Sequence, residues 1–560
     1  MQLVKKVFSS MLILIGILLM SALFCFAIMM VFHVSIFGYT YASKDDIGID
    51  YRYDQTNADK KINTIQLDTE RASIVIMEAS EEAQKDVSVL IKQDFQGIVK
   101  SDVKEFSYNV PLNEEETEFS KKPVLQDGVL KIVTKEPSGL MFRNKTYISI
   151  VIPKNMVLDG FNVVTGADYV DVGNSHNIQI KDLSLVCTNK SIFSKISLSD
   201  YLTITGKLHL ETNYGRITIN SIIKNDVNIK SKRGSIIFNN DVQGDVVIEG
   251  ENPYVEFGKI TEKAVNTIEN SKAEEYTRQK NMEKSQSKIN DLQNKIDSEN
   301  KKAENALKDI KKVNITGSLT IINCSNGNVK VGGTVYGFVY LNAPNIQFWA
   351  NNVENGFTCE SGSNNIRIFG SLCKTHAANT CTIKNGEGHL FINNCYPNVD
   401  IYASKNGVNI KNAFNNVKIE NKDYGTIVNF AEGVLGKTLD VKQEKGSITA
   451  TNLTGPTKLT ADSNSIYAEF IKVQGENEIK AKFNIKTIVK DGQEYTFTVK
   501  SNTKKSKLDV RLGSVKYSGW IAESSTAEIK NNINNSSTGD LANSLLLWTT
   551  DGGKIQATTY

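Results

Sequence analysis

The sequence predicts an all-β chain: a parallel β-helix-like solenoid behind one N-terminal transmembrane helix, with a charged helical segment inserted. Three observations carry that reading. Residues 7–38 are almost wholly apolar, with no Asp, Glu, Lys or Arg between Lys6 and Lys44. From Ile62 onward short β-patterned segments recur, separated by Gly and Asn, at spacings near 9 and near 20 residues. Residues 263–312 interrupt them with a run of Lys, Glu, Asn, Gln and Ala that lacks Gly and Pro.

The apolar run comes first. About 20 apolar residues in a helix cross a bilayer core, and residues 7–38 would make a helix of roughly 48 Å. Lys5 and Lys6 precede it, so the excess of positive charge predicts a cytoplasmic N-terminus and an extracytoplasmic bulk. Tyr39 and Tyr41 fall where aromatic rings favour the headgroup level. A cleaved signal peptide would need a shorter apolar core ahead of a cut near Ala42, and a lipoprotein would need a small residue where Phe24 precedes Cys25. An uncleaved signal anchor fits best.

The strand pattern follows. Ile65 and Leu67, Ile74 and Ile76, and Val87, Val89 and Ile91 alternate with polar residues, as half-buried strands do. Further on, Asn213–Ile219 (NYGRITI) and Lys232–Phe238 (KRGSIIF) carry glycines 19 residues apart. Asp423–Val428 (DYGTIV) and Glu444–Ala450 (EKGSITA) carry glycines 21 apart, and Ser463–Phe470 follows. A nine-residue beat runs through Asn398-Val-Asp-Ile401, Gly407-Val-Asn-Ile410 and Asn416-Val-Lys-Ile419. Strands this short cannot bury an apolar face alone, and periods near 20 residues indicate stacked coils. A β-sandwich would also give strands every 8–12 residues; the double period favours the solenoid.

Within residues 263–312, Ile289, Leu292, Ile296, Ala303, Leu307 and Ile310 form a helical stripe. An antiparallel hairpin turning near Ser285–Lys288 and a single spacer helix both fit. Either could serve self-association through the helical segment. The resulting division is 1–43 cytoplasmic tip and anchor, 44–157 N-terminal β region, 158–262 first solenoid part, 263–312 helical segment, 313–514 second solenoid part and 515–560 C-terminal cap. In that cap Leu545–Trp548 is an apolar patch expected to cover the last coil.

Seven cysteines include four with a regular spacing: Cys359 and Cys381, and Cys373 and Cys395, are each 22 residues apart. On a coil of that length they would stack as two disulfides or as a ladder of buried thiols. Cys373, His376, Cys381, His389 and Cys395 could also be drawn as metal ligands, but they lack a paired C-x-x-C spacing.

Ile62–Met77 (INTIQLDTERASIVIM), Gly128–Val133 (GVLKIV), Tyr147–Lys154 (YISIVIPK) and Leu158–Val172 (LDGFNVVTGADYVDV), with the G-x-I-x-I units, resemble the bacterial adhesin family of β-solenoid domains found behind a single membrane segment. The resemblance covers most of residues 60–260 and returns more loosely over 313–500. It implies a surface module and brings no binding residues with it.

Chemistry is sparse in the sequence. There is no H-E-x-x-H, G-x-S-x-G or phosphate-binding loop. His209 reads as a solvent-facing strand residue. Asp168, Asp171, Asp182, Asp226 and Asp241 could be posed as a solenoid hydrolase poses its acids, yet acids at turns more often cap corners. A net charge of +3 over 560 residues gives no field suited to nucleic acid. The expectation is a non-enzymatic, membrane-anchored surface protein without catalytic, cofactor or metal residues. It would be held by residues 7–38 and would bind a glycan, a cell-wall polymer or a protein. An envelope scaffold or stress-response accessory acting by self-association is the alternative, and a polysaccharide-degrading enzyme is third.

Overall fold

The computed structural model describes residues 2–32, 36, 39–70, 72–81, 83–100, 120–134, 139–166, 169–173, 177–188, 195–282, 285–405, 407–490, 496–501, 507–511, 544–549 and 554–559. They are mostly strands, in two large sheets rich in parallel pairing, preceded by one apolar helix. The chain divides into two compact units, Met1–Lys224 and Asn225–Tyr560.

The first unit begins with helix α1, Gln2–Phe32. Its segment Phe8–Phe32 is long and apolar enough to cross a membrane. Side chains such as Leu12, Leu18, Leu23 and Phe24 are exposed along it, so protein does not cover them. The helix is described to Phe32, and Ile36 already lies in a β-bridge, so the helix does not fill the run to residue 38 expected from hydropathy. Tyr39-Thr40-Tyr41 has strong β preference and opens the strand Tyr39–Asp54, with Ile36 already bridged to Tyr39. Tyr41 is therefore buried and edge-on to Phe26, with ring centroids 6.2 Å apart, rather than free at a headgroup level.

Three strands of this unit pair antiparallel in the order Tyr39–Asp54, Asp86–Lys100, Gly139–Ile152. Parallel pairing starts beside them. Ser73–Glu78 lies between Gly139–Ile152 and Tyr169–Val172. Thr64–Thr69 likewise lies between Val129–Thr134 and Val157–Thr165. In each case an early strand is held between two later ones. Antiparallel strands at the edge turn a growing parallel stack into an end.

In the second unit successive strands alternate between the two sheets. Val399 of Asn398–Lys405 pairs with Val417 of Val417–Asp423, eighteen residues on. Val408 of Val408–Ala413, between them in sequence, pairs instead with Thr426 of Thr426–Phe430. The nine-residue beat is thus one strand per sheet, and two beats return the chain to the same sheet. The glycine units stack directly as well: Thr426 opposes Ile448, and Ile448 opposes Ile466. Inward positions are Ile, Val, Leu, Phe and Ala with almost no exposure, each large one stabilising by about 1.5–3 kcal/mol. Phe238 and Phe257 stack at 4.4 Å on neighbouring strands. Gly446 turns its corner at φ +101°, where an added Cβ would sit 1.8 Å from the Tyr424 carbonyl oxygen.

Residues 262–308 form helices α2 (Glu262–Glu269), α3 (Ala273–Met282) and α4 (Gln286–Lys308). Backbone bonds between Lys259 and Lys311, both 3.1 Å, close the base of this arm. Pairing continues past it, with Val246 opposite Leu319. Lys280 Nζ donates to Gln293 Oε1 at 2.6 Å and the Lys272 amide to Glu299 at 3.2 Å, so α3 and α4 run antiparallel. Leu292 and Ile296 are buried, Ala306 and Ile310 pack with Trp349 and Phe369 of the sheet, and Ile289, Ala303 and Leu307 are half-buried.

The apolar patch Leu545–Trp548 lies on a strand paired on both sides. Ser544–Thr549 lies between Glu476–Ala481 and Thr496–Ser501, parallel to both, and Lys554–Thr559 lies between Ile485–Val489 and Lys507–Arg511. The last two strands wedge into the stack because Leu545 and Leu547 match its inward positions. The polar stretch Asn531–Asp540 lies outside the described residues.

Candidate functional site

One groove of about 410 Å³ runs across the C-terminal ends of five consecutive strands of one sheet in the second unit. Register builds it. Lys384, Tyr402, Glu420 and Lys442 stand opposite one another on successive strands and face outward. The next residue on each strand points inward: Asn385, Ala403, Asn421 and Gln443 form a buried row beneath. Gly386, Ser404, Lys422 and Glu444 line the strand ends.

The buried row fixes the floor. Asn385 Nδ2 donates to the Asn364 carbonyl at 2.7 Å, and Asn385 Oδ1 accepts from the Asn364 amide at 2.8 Å. Asn421 Nδ2 donates to Thr426 Oγ1 at 3.2 Å, whose hydroxyl donates to Gln443 Oε1 at 2.6 Å. Corner amides bonded this way are unlike a free polar surface: they hold backbone carbonyls and side chains in fixed places.

Charges on the walls differ in how far they are matched. Lys405 pairs with Glu387 at 2.6 Å, Lys445 with Asp423 at 3.1 Å and Lys384 with Glu360 at 3.4 Å, each across neighbouring strands. The hydrogen bond and charge of Glu387 raise the Lys405 pKa. Lys418 sits 5.8 Å from the Tyr402 ring centre and 3.5 Å from Glu420; Tyr402 first and Glu420 next raise its pKa. The row Asp400, Lys418, Asp440, Lys458 and Glu478 alternates in sign from strand to strand, so it is self-matched. Among the described residues, Lys422 and Lys442 make no ion pair. Among the described residues the groove therefore offers two ammonium groups without an ion pair, a half-exposed tyrosine ring and two carboxylates in repeating rows. Such a surface can hydrogen-bond and stack against a polyhydroxylated chain.

A second charged cluster lies in the same unit under α2. Glu269 Oε2 is 3.2 Å from Arg367 Nε, without hydrogen-bond alignment, and its other oxygen contacts the His389 ring. Lys411 Nζ donates to the Ile268 carbonyl at 2.7 Å. Burial pushes the Glu269 carboxyl up, but His389, Arg367 and Lys411 together outweigh it and lower its pKa. Arg367 and Lys330 flank the Trp349 ring at 5.4 and 4.6 Å. Trp349 and Phe369 in turn pack with Val265, Ile268 and Ile310. This cluster is consumed in docking the helical arm on the sheet.

Of the acids singled out from sequence, Asp226 and Asp241 lie between strands, while Asp171 and Asp182 lie within the strands Tyr169–Val172 and Ile178–Cys187. Asp182 accepts from the Lys207 amide at 2.8 Å, Asp226 from the Asp245 amide at 3.0 Å, and Asp241 from the Asn314 amide at 2.7 Å. Asp171 accepts from Tyr169 at 3.2 Å, and Asp168 lies outside the described residues. His209 lies 3.9 Å from Glu211 on a strand surface.

The cysteine register differs from a 22-residue coil. Cys359 stands opposite Ile383, and Cys395 opposite Leu372. Extra residues at the corner 373–379 lengthen the return to 24 residues at Cys359 and 23 at Cys395, which shifts Cys381 off Cys359 and Cys373 off Cys395. Cys373 and Cys381 face each other instead, with sulfurs 3.7 Å apart. His376 Nδ1 meets the Glu354 carbonyl at 3.2 Å while His389 meets Glu269, so the drawn ligand set is not brought together. Among the described residues no His, Cys, Asp and Glu side chains group to hold a metal ion.

Comparison of the chain with family models, with curated proteins and with solved structures yields no match. The functional reading therefore rests on the groove.

Proposed function

We propose that this protein is a membrane-anchored, extracytoplasmic surface protein, adhesin-like and non-enzymatic, whose two sheets are the walls of a β-solenoid. Its groove would bind an extended glycan or cell-wall polymer. Alternation of strands between sheets at nine-residue steps supports the winding. The α1 segment Phe8–Phe32 supports anchoring, and Lys5 and Lys6 ahead of it support export of the bulk.

The row Lys384–Tyr402–Glu420–Lys442 carries the binding proposal. Strands repeat about every 4.8 Å, so a polymer lying along the stack meets new donors and acceptors at each step. Rigid rows hold these groups in place before binding and reduce the ordering cost. An enzyme reading finds less support, since Asp182, Asp226 and Asp241 are engaged with backbone amides. The scaffold reading is weaker too, because Leu292 and Ile296 are buried and Ile310 packs with Trp349 and Phe369.

The test uses the full-length protein in lipid nanodiscs with isolated wall polysaccharide. Wild type should co-sediment with the polymer, and the Lys422→Gln/Lys442→Gln protein should bind at least tenfold more weakly. Equal binding by both proteins, or none by wild type, rejects the groove as the site.

A further inference from the structure

The corner between the strands Asn365–Leu372 and Thr380–Glu387 is wider than its neighbours. The corresponding corner before Asn398 contains only Tyr396 and Pro397, whereas this one contains residues 373–379. Its outer part is exposed, including Lys374, Thr375 and His376. Thr375 is tied to Glu354 through its amide at 3.1 Å and its hydroxyl at 2.9 Å. Asn415 Nδ2 donates to the Ala377 carbonyl at 3.1 Å. At the base of the loop, Cys373 and Cys381 are both fully buried, 3.7 Å apart. Cys373 is held at φ +51°, with its amide donating to the Val353 carbonyl at 2.6 Å. The Phe357 amide donates to the Cys381 sulfur at 3.3 Å.

From this geometry we infer that Cys373 and Cys381 are an oxidisable pair that closes the corner as an intrachain disulfide. A bond requires the sulfurs, now 3.7 Å apart, to approach to about 2.05 Å. Cys359 and Cys395, the other cysteines of the region, contact backbone carbonyls. Cys359 donates to the Ser361 carbonyl at 3.5 Å, and Cys395 contacts the Pro397 carbonyl at 4.0 Å.

Formation follows thiol–disulfide exchange with a small-molecule or protein disulfide outside the cytoplasm. A Cys381 thiolate attacks one sulfur of that oxidant, forming a mixed disulfide and releasing one oxidant thiolate. Cys373, losing its proton, then attacks the Cys381 sulfur and releases the second oxidant thiolate. The protein loses two protons and two electrons, and the oxidant disulfide becomes two thiols. Both sulfurs are covered in the folded chain, so exchange precedes closure of this corner or accompanies its opening.

The inference rests on the extracytoplasmic placement proposed above, and the experiment separates the two. Cells are lysed into N-ethylmaleimide, and the full-length protein is purified in detergent, denatured and mapped by mass spectrometry. A second sample is reduced, refolded in detergent and exposed to oxidised glutathione before mapping. A Cys373–Cys381 linked peptide in both samples supports the pair and the compartment. A linked peptide only after glutathione supports the pair and counts against export. Free Cys373 and Cys381 in both samples, or links between Cys359 and Cys381 or between Cys373 and Cys395, overturn the inference. Trypsin supplies a check that needs no variant: reducing the linked protein should speed cleavage after Lys374 several-fold, and an unchanged rate would contradict the clamp.

Discussion

Glu269→Gln removes a carboxylate that faces Arg367, His389 and Lys411 at the docked end of α2. Glu269 and Arg367 side chains are 13% and 18% exposed, so the charge is largely withdrawn from water. Breaking a fully buried pair by removing one partner costs about 3–5 kcal/mol. Residual solvent access places this site at the lower end, about 2–3 kcal/mol. At about 1.4 kcal/mol per tenfold, α2 should open roughly 30–150 times more often. Hydrogen exchange read by mass spectrometry should show that loss of protection over 262–269, with strands such as Val417–Asp423 unaffected. The pH dependence has a defined sign. The folded-state pKa of Glu269 is lowered, so its contribution is complete above the unfolded value near 4.3 and is lost as pH falls through the folded value. Protection factors corrected for intrinsic exchange should fall in wild type below about pH 4 and stay flatter in the Gln protein. Unchanged α2 protection at neutral pH would refute an electrostatic latch and leave the apolar contacts of Val265 and Ile268 as the whole attachment.

Other expectations follow from packing and backbone geometry. Ile268→Ala should also release α2, by about 2–5 kcal/mol from the lost side chain and its cavity, measured by the same exchange experiment. Gly446→Ala should lower the thermal midpoint far more than Gly433→Ala. Both have positive φ, but only at Gly446 does the new Cβ meet backbone, while nothing lies within 4 Å of it at Gly433. Ending the chain after Arg511 should strip protection from Glu476–Ala481 and Ile485–Val489, which lose their partners Ser544–Thr549 and Lys554–Thr559, while Val408–Ala413 keeps its own. If the cysteine pair closes, its nine-residue loop should add about 2.6 kcal/mol, seen as a lower thermal midpoint under reductant.

The strand pattern was legible because parallel stacking repeats the same demand on every strand. Val399, Val408 and Val417 each bury one face, and their spacing shows in sequence as a nine-residue beat. Leu292 and Ile296 likewise mark one face of a helix at a four-residue step. Pairings between distant segments left no such trace. Nothing local in Thr64–Thr69 tells that it will sit between Val129–Thr134 and Val157–Thr165, or in Leu545–Leu547 that it will be paired on both sides. The corner insertion at 373–379 was invisible for the same reason: a uniform repeat length hid it, and the cysteine pairing moved with it. Groove residues were harder still. Lys422 and Lys442 are ordinary surface lysines until register sets them beside Tyr402 and Glu420 over a floor of amides.

Cysteine cross-linking tests the winding most directly. Asp400 opposes Lys418 in one sheet, and Asn409, midway between them in sequence, belongs to the other. In the full-length protein, Asp400→Cys/Lys418→Cys should oxidise to a linked pair, since neighbouring strands stand within disulfide reach. Asp400→Cys/Asn409→Cys should stay reduced. Ready linking of 400 to 409, with none between 400 and 418, would mean sequential hairpins and would contradict a chain that returns to the same sheet every second strand.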